Sequence, residues 1–255
     1  MSQLNEYAVV VLHHGTTMRA ASSIIRGGWK PTDVMNNVAR VAAAHELSLA
    51  EVIQDLGKYY RYAQQEGRGT TVSFAPNGGD AEHAWAQRAP EVEWESLWAV
   101  YRIKYMKLDD PWYWNTDVAG HAWVWDQMRH DQLAVISYTT SYAEMVDLGA
   151  RGGGFGESQL PPLELLNSPT THLPEIVYDV PFKPDGDRLT VTPVARHLPW
   201  NVFAYKLGLS PDEFERRADN GEFGPPASEG VSCPRIGNMV RPWWTSDHPA
   251  LESAV

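Results

Sequence analysis

Apolar residues recur along this chain in short bursts, and the spacing inside each burst predicts its element. Residues 7–12 form an apolar run that stops at His13-His14-Gly15, which predicts a first strand. Thr16 or Thr17 stands ready to cap a helix over 18–26, which Gly27-Gly28 ends. A helix is predicted over 37–44. Ser48 and Glu51 then form a capping box, and over 49–65 the residues Val52, Ile53, Leu56, Tyr59 and Tyr60 fall on one helical face. Residues 70–75 read as a second strand, broken by Pro76-Asn77-Gly78-Gly79. Asp80 is expected to cap a helix over 81–88 that carries Trp85. Aromatic and β-branched residues over 96–106 predict a long strand. A loop over 109–120, a helix over 121–131 and a strand over 133–139 follow. Residues 151–156 form a glycine-rich loop, 160–171 are irregular, and 175–180 and 189–194 read as strands. Two short helices are expected over 200–207 and 211–218, the second opened by a Ser210–Glu213 capping pattern. Beyond 222 the chain is rich in Pro and Gly, with no clear element. The mixture predicts an α+β fold.

Composition narrows the function classes. At 255 residues, 43% hydrophobic and 21% charged, the chain has the make-up of a globular protein with a sizeable core. A formal net charge of −11 argues against a broad electrostatic grip on DNA or RNA, which needs clustered Lys and Arg. The single Cys233 excludes an internal disulfide framework and a Cys-rich metal site, and fits a reducing compartment. No apolar run approaches the roughly 20 residues that cross a bilayer. The first residues do not resemble a secretory signal, so cytoplasmic residence is expected, without membrane partners. The His residues show no metal-ligand spacing, and Gly152-Gly153-Gly154-Phe155-Gly156 lacks the Lys of a phosphate loop. Tyr205 to Arg217 has the outline of a helix-turn-helix, a pattern shared with plain helical hairpins.

Three distant segments carry residues suited to chemistry. They are His13-His14-Gly15-Thr16, Ser73-Phe74-Ala75 and Glu175-Ile176-Val177-Tyr178-Asp179, each at a predicted strand end or start. In that order they resemble the NAD-dependent ADP-ribosyltransferase superfamily, in the branch with a His, Tyr, Glu signature shared by poly-ADP-ribose polymerases and diphtheria-type toxins. The resemblance spans roughly residues 7–195. It implies a split, mostly antiparallel β-sandwich with flanking helices over residues 1–196, with 197–255 as a helical or irregular appendage packed on that core. It also implies an NAD cleft between the strands bearing His14 and Glu175.

The implied roles follow the reaction. Cleaving the bond between nicotinamide and ribose builds positive charge on the ribose. Glu175 is the carboxylate expected to hold the ribose hydroxyls and stabilise that charge. His14 is implied to hydrogen-bond ribose and Gly15 to pair its backbone with the nicotinamide carboxamide. Thr16 is a candidate for a ribose or phosphate contact, and Phe74 and Trp85 for stacking on nicotinamide. His13 and His14 compete for the NAD-contacting position. NAD is the implied co-substrate, with no metal. The expected activity is mono-ADP-ribosyl transfer to a protein or nucleic-acid acceptor, suited to a toxin, effector or defence factor with a cognate inhibitor.

The chain departs from the family at Ser73, where the signature has Tyr. Ser73 is then expected to hydrogen-bond, leaving Trp85 to stack. Leu173 stands two residues before Glu175, where arginine-directed members carry a polar residue, which argues against an arginine-specific enzyme. The loop over 151–172 is the expected acceptor rim, and Glu157 in it is a lesser catalytic candidate. Three alternatives share the residues: an NAD glycohydrolase, an RNA 2′-phosphotransferase-like enzyme, and a non-catalytic module that binds ADP-ribose or a nucleotide.

Overall fold

The computed structural model describes residues 8–31, 34–59, 71–82, 86–87, 91–106, 118–153, 162–167, 175–198, 200–224, 244–245 and 248–252. The chain folds as two compact units interleaved in sequence. Unit 1 gathers Met1–Thr32, Glu66–Ala89 and Asp131–Val194; unit 2 gathers Asp33–Gln65, Pro90–His130 and Ala195–Val255. The expected division into one domain over 1–196 plus an appendage is therefore corrected. The C-terminal segment begins near the predicted boundary, but it joins two earlier segments of the chain in unit 2. The architecture is α+β with small antiparallel sheets.

Among the described residues unit 1 has six strands: β1 (Val9–Thr17), β2 (Thr71–Phe74), β3 (Leu133–Ser141), β4 (Arg151–Gly153), β5 (Glu175–Asp179) and β6 (Leu189–Val194). One antiparallel sheet runs β1-β3-β6, with Leu12 opposite Tyr138 and His14 opposite Ile136. The other runs β2-β5-β4, with Phe74 opposite Ile176 and Gly153 opposite Glu175. One bridge joins them: His13 N–H donates to Ala75 O at 2.8 Å and Ala75 N–H to His13 O at 2.7 Å. Strand alternation sets the faces. Val10, Leu12, Val72, Phe74, Ile136, Tyr138, Ile176 and Tyr178 point into one core, while Val9 and Val11 on the opposite face of β1 are 71% and 40% exposed. The opposite side carries a smaller cluster of Ala75, Ala81, Ala86, Leu133, Val135 and Val194.

The helix after β1, α1 (Met18–Gly27), begins where expected. Thr17 is the cap, its hydroxyl accepting from Ala20 N–H at 3.2 Å. Gly28 follows at φ 74°, and a Cβ there would stand 2.7 Å from Phe182 O, so glycine is required on both counts. The tight turn lets Trp29 N–H reach Phe182 O at 2.7 Å, which ties the end of α1 to the segment after β5. Residues 162–167, expected to be irregular, form a short helix, and 151–153 form an edge strand in place of a loop. Asn77, not Asp80, caps the short helix Gly78–Asp80: its Oδ1 accepts from Asp80 N–H at 2.7 Å.

Unit 2 is mainly helical. Its helices are Val34–Ala44, Leu49–Tyr59, Glu91–Tyr105, Val118–Gln127, Trp200–Lys206, Pro211–Asp219 and Pro249–Glu252, with β7 (His197–Leu198) paired to β8 (Trp244–Thr245). The Ser48–Glu51 box forms as read: Glu51 N–H donates to Ser48 Oγ and Ser48 N–H to Glu51 Oε2. The strand expected over 96–106 is a helix. Residues 93–100 are all buried, so no polar stripe marks the helical period, and Trp94, Trp98 and Val100 raise β propensity without forming a strand. Its buried charges are paired. Arg102 donates from Nε and Nη2 to Asp55 Oδ2 at 2.8 and 2.5 Å, and Glu93 accepts from Arg40 at 2.8 Å and Arg129 at 3.0 Å. Among the described residues no helix is long and apolar enough to cross a membrane.

Candidate active site

The three chemistry-bearing segments, remote in sequence, meet where the two sheets of unit 1 join. β1 brings His13, His14 and Gly15; β2 ends at Phe74 and Ala75; β5 opens with Glu175. Among the described residues, pairing between β1 and β2 is confined to the His13–Ala75 bridge. In an antiparallel ladder backbone groups point to alternate neighbours, so Gly15, two residues after His13, turns its N–H and C=O toward β2. No bridge joins Gly15 to Ser73, which would be its partner. The imidazole of His14 takes that carbonyl instead: Nδ1–H donates to Ser73 O at 2.9 Å. A side chain thus replaces the next rung, and the sheets part at this point.

That hydrogen bond decides the chemistry of His14. A carbonyl only accepts, so Nδ1 carries the proton. Burial lowers the imidazole's pKa below its ordinary value, outweighing the opposing effect of the bond to Ser73. The ring is therefore neutral near pH 7, with a lone pair on Nε2 that can accept from a hydroxyl. Trp29 packs edge-on at 5.6 Å and Phe74 at 5.7 Å between ring centres, which holds the ring against rotation.

His13 points to the other face. Its Nδ1 lies 3.0 Å from Ser137 Oγ on β3, directly across the ladder. Partial burial lowers its pKa too. Alternation in β1, β2 and β5 sorts the rest. Glu175, Ser73, Ala75 and His13 share one face; His14, Phe74 and Ile176 share the other. Extending the β2–β5 register by one residue sets Ala75 opposite Glu175. Glu175 and His13 therefore flank Ala75 on the same face, two strands or about 10 Å apart at the backbone. The Glu175 side chain is half-buried, and among the described residues its carboxylate has no hydrogen-bond or ion-pair partner.

One expected ligand contact changes. Phe74 is 0% exposed, ringed by His14, Trp29, Tyr138, Tyr178 and Phe182 at 5.1 to 6.0 Å between centres. It is a core residue with no face free to stack on nicotinamide. Thr16 is buried on the His14 side of β1. Ser73 meets the site through its carbonyl, while its side chain lies on the Glu175 face. Trp85, Leu173 and Glu157 lie outside the described residues. Residue-type reasoning missed Ser137, whose only sequence signal is a hydroxyl inside an apolar strand, and Trp29, which reads as part of a turn.

Elsewhere, the helices Trp200–Lys206 and Pro211–Asp219 form the expected hairpin, but Arg216 donates to Glu213 at 2.9 and 2.6 Å and Arg217 pairs with Glu222. Both cations are neutralised locally, which removes the charge a DNA-reading helix would offer. Among the described residues no group of three or more His, Cys, Asp or Glu side chains could hold a metal ion. Comparisons with family models, with curated proteins and with solved structures find no match to this chain.

Proposed function

We propose that the chain is a mono-ADP-ribosyltransferase, which transfers ADP-ribose from NAD to a protein or nucleic-acid acceptor and releases nicotinamide. The observation that carries this reading is the seam of unit 1. There Gly15 makes no bridge to β2 among the described residues and the His14 imidazole is anchored on Ser73 O, while Glu175, without a partner among the described residues, opens β5 on the opposite face of the strand layer. An N–H and C=O on one residue, unbridged to β2 among the described residues, complement the carboxamide of nicotinamide, which carries one acceptor and two donors. A neutral imidazole with its Nε2 lone pair available suits a ribose hydroxyl. A carboxylate without an ion-pair partner among the described residues is open to a cation that forms only as the bond breaks.

In this mechanism the C1′–N bond to nicotinamide lengthens and its electron pair leaves with the ring. Positive charge spreads over C1′ and the ribose ring oxygen. Glu175 stabilises that charge and holds the ribose hydroxyls, an interaction stronger in the transition state than in the bound substrate. The acceptor then bonds to C1′. The buried Phe74 favours a second reading, a module that binds ADP-ribose without cleaving NAD, because it withdraws one of the two rings expected on nicotinamide. Incubation of the chain with NAD labelled in its adenylate half, in the presence of separate protein, DNA and RNA fractions, tests both. Label bound covalently in one fraction supports transfer and identifies the acceptor class. Bound but intact NAD in every fraction would favour the binding module.

A further inference from the structure

β1 has a free edge along its first half. In the sheet β1-β3-β6 it pairs with β3 on one side. On the other side, among the described residues, only the His13–Ala75 bridge touches it. His13 turns its N–H and C=O to that side, so Val11 and Val9, two and four residues before it, do the same. Continued in register, β2 would set Asn77 opposite Val11. The chain instead leaves the ladder after Ala75 and enters the short helix Gly78–Asp80, capped by Asn77. Among the described residues no hydrogen bond reaches the outward N–H or C=O of Val9 or Val11. Their side chains are uncovered as well, 71% and 40% exposed, while Val10 and Leu12 face the core. Edge strands are usually blunted, because a row of open amides pairs with strands it meets. In unit 1 the edge strand β6 carries Pro193, and the edge strand β4 is three residues long. The run Tyr-Ala-Val-Val-Val-Leu over 7–12 has no charge, no Pro and no Gly. Across the ladder Val11 and Val9 stand opposite Thr139 and Ser141, which are uncharged too.

The geometry points to β1 of a second copy of this chain as the occupant of that edge. An extended polypeptide presents N–H and C=O groups at the spacing of this row. β1 is itself such a strand, and its free segment is self-complementary. With Val10 on a two-fold axis, antiparallel pairing sets Val9 opposite the partner's Val11 and Val11 opposite the partner's Val9. Each pair exchanges two N–H···O bonds. Opposite residues share a face, so the exposed valines of both copies merge into one cluster. The pairing stops at these rungs, because Ala75 holds the place opposite each His13. A contact this short belongs to the weak class of interfaces. The net charge of −11 on each copy opposes it at long range. Salt screens that repulsion and leaves the uncharged contact intact, so salt is expected to tighten the dimer. Dimerisation of this kind is independent of the reaction proposed above.

Sedimentation equilibrium of the full chain is expected to show the mass rising with concentration from 28.6 kDa toward twice that value. The midpoint is expected below about 1 mM, and lower in about 0.5 M salt than in about 0.05 M. Val9→Lys and Val11→Lys each place a charge on the free edge, and both are expected to stay at 28.6 kDa with unchanged thermal melts. Register is read by crosslinking in a Cys233→Ser background. Val9→Cys mixed with Val11→Cys is expected to form a disulfide-linked dimer under mild oxidation, because paired Cα atoms stand about 5.5 Å apart. Either variant alone is expected to crosslink at least about tenfold less. A mass of 28.6 kDa at every concentration up to about 1 mM overturns the proposal. A dimer that both Lys variants retain overturns it as well, as does crosslinking no better in the mixture than in each variant alone. A monomeric chain whose Val9 and Val11 amides slow their hydrogen exchange only when a Thr-Val-Thr-Val-Thr peptide is added overturns the second copy and makes the edge a site for a foreign strand. Should a Lys variant fail to fold, the cysteine pair, which changes each side chain least, decides.

Discussion

The buried carboxylates of unit 2 and the carboxylate that opens β5 in unit 1 are treated in opposite ways. Asp55 receives two hydrogen bonds from Arg102, and Glu93 is held by Arg40 and Arg129. Those pairs cancel charge in a helical core crowded with Trp94, Trp98 and Trp125. Glu175 is half-buried and has no such partner among the described residues. A charge neutralised in place stabilises its surroundings; a charge left open beside a break in the sheet is available to a ligand. The same contrast holds for backbone. Where unit 2 forms helices its amides are paired internally, whereas the β1–β2 seam leaves Gly15 outside a ladder that could have continued.

If that contrast is right, mutations in the two regions will fail differently. Two stability effects of equal size head the order, the first in unit 2. Asp55→Asn leaves the Arg102 guanidinium buried without its counter-charge, which costs about 3–5 kcal/mol in chemical denaturation. A loss below about 1 kcal/mol would mean the pair is solvated and the contrast false. Phe74→Ala removes a fully buried ring from the unit 1 core, and about 3–5 kcal/mol is again expected. Near-wild-type stability with weakened NAD binding would instead restore Phe74 as a stacking residue. A smaller effect is expected from pH. His13 and His14 both have pKa values lowered by burial, so below the unfolded value near 6.5 the unfolded chain binds protons that the folded chain does not. Stability contributed by these rings is complete above about pH 6.5 and declines as pH falls toward their folded values. His14→Gln should flatten that decline; an unchanged pH–stability curve would show that burial does not lower the His14 pKa in the fold. Smallest is the cap of α1: Thr17→Ala is expected to cost about 1 kcal/mol, and no change would mean that the bond from Ala20 N–H is not made in solution.

Much of unit 1 was legible because its signals are local. A helix opened by Thr17 and ended at Gly27-Gly28 and a strand begun by Glu175 each follow from neighbouring residues, whereas β1, expected to stop at Gly15, runs on to Thr17. The choice between His13 and His14 was not legible. It depends on which residue of β1 lies opposite Ala75, and a shift of one residue exchanges the faces of both rings. Phe74 was misread for a related reason, since a strand-end aromatic reveals its burial only once Trp29, Tyr138 and Phe182 close around it. The helix Glu91–Tyr105 was lost to composition, because burial on nearly every side erases the amphipathic period that separates helix from strand. The interleaving of the two units left no trace at all: neither Thr32 nor Ala89 stands at a break in composition that marks a boundary.

The central claim is that Glu175, without a partner among the described residues, answers a charge that appears only during reaction. It is tested most directly by nicotinamide release from NAD, comparing the wild-type chain with Glu175→Gln under conditions where both melt at the same temperature. The account predicts steady release by the wild type and a loss of at least about 10²-fold in the variant, as for removal of one preorganised electrostatic contact in a transition state. Equal rates in the two proteins would contradict it.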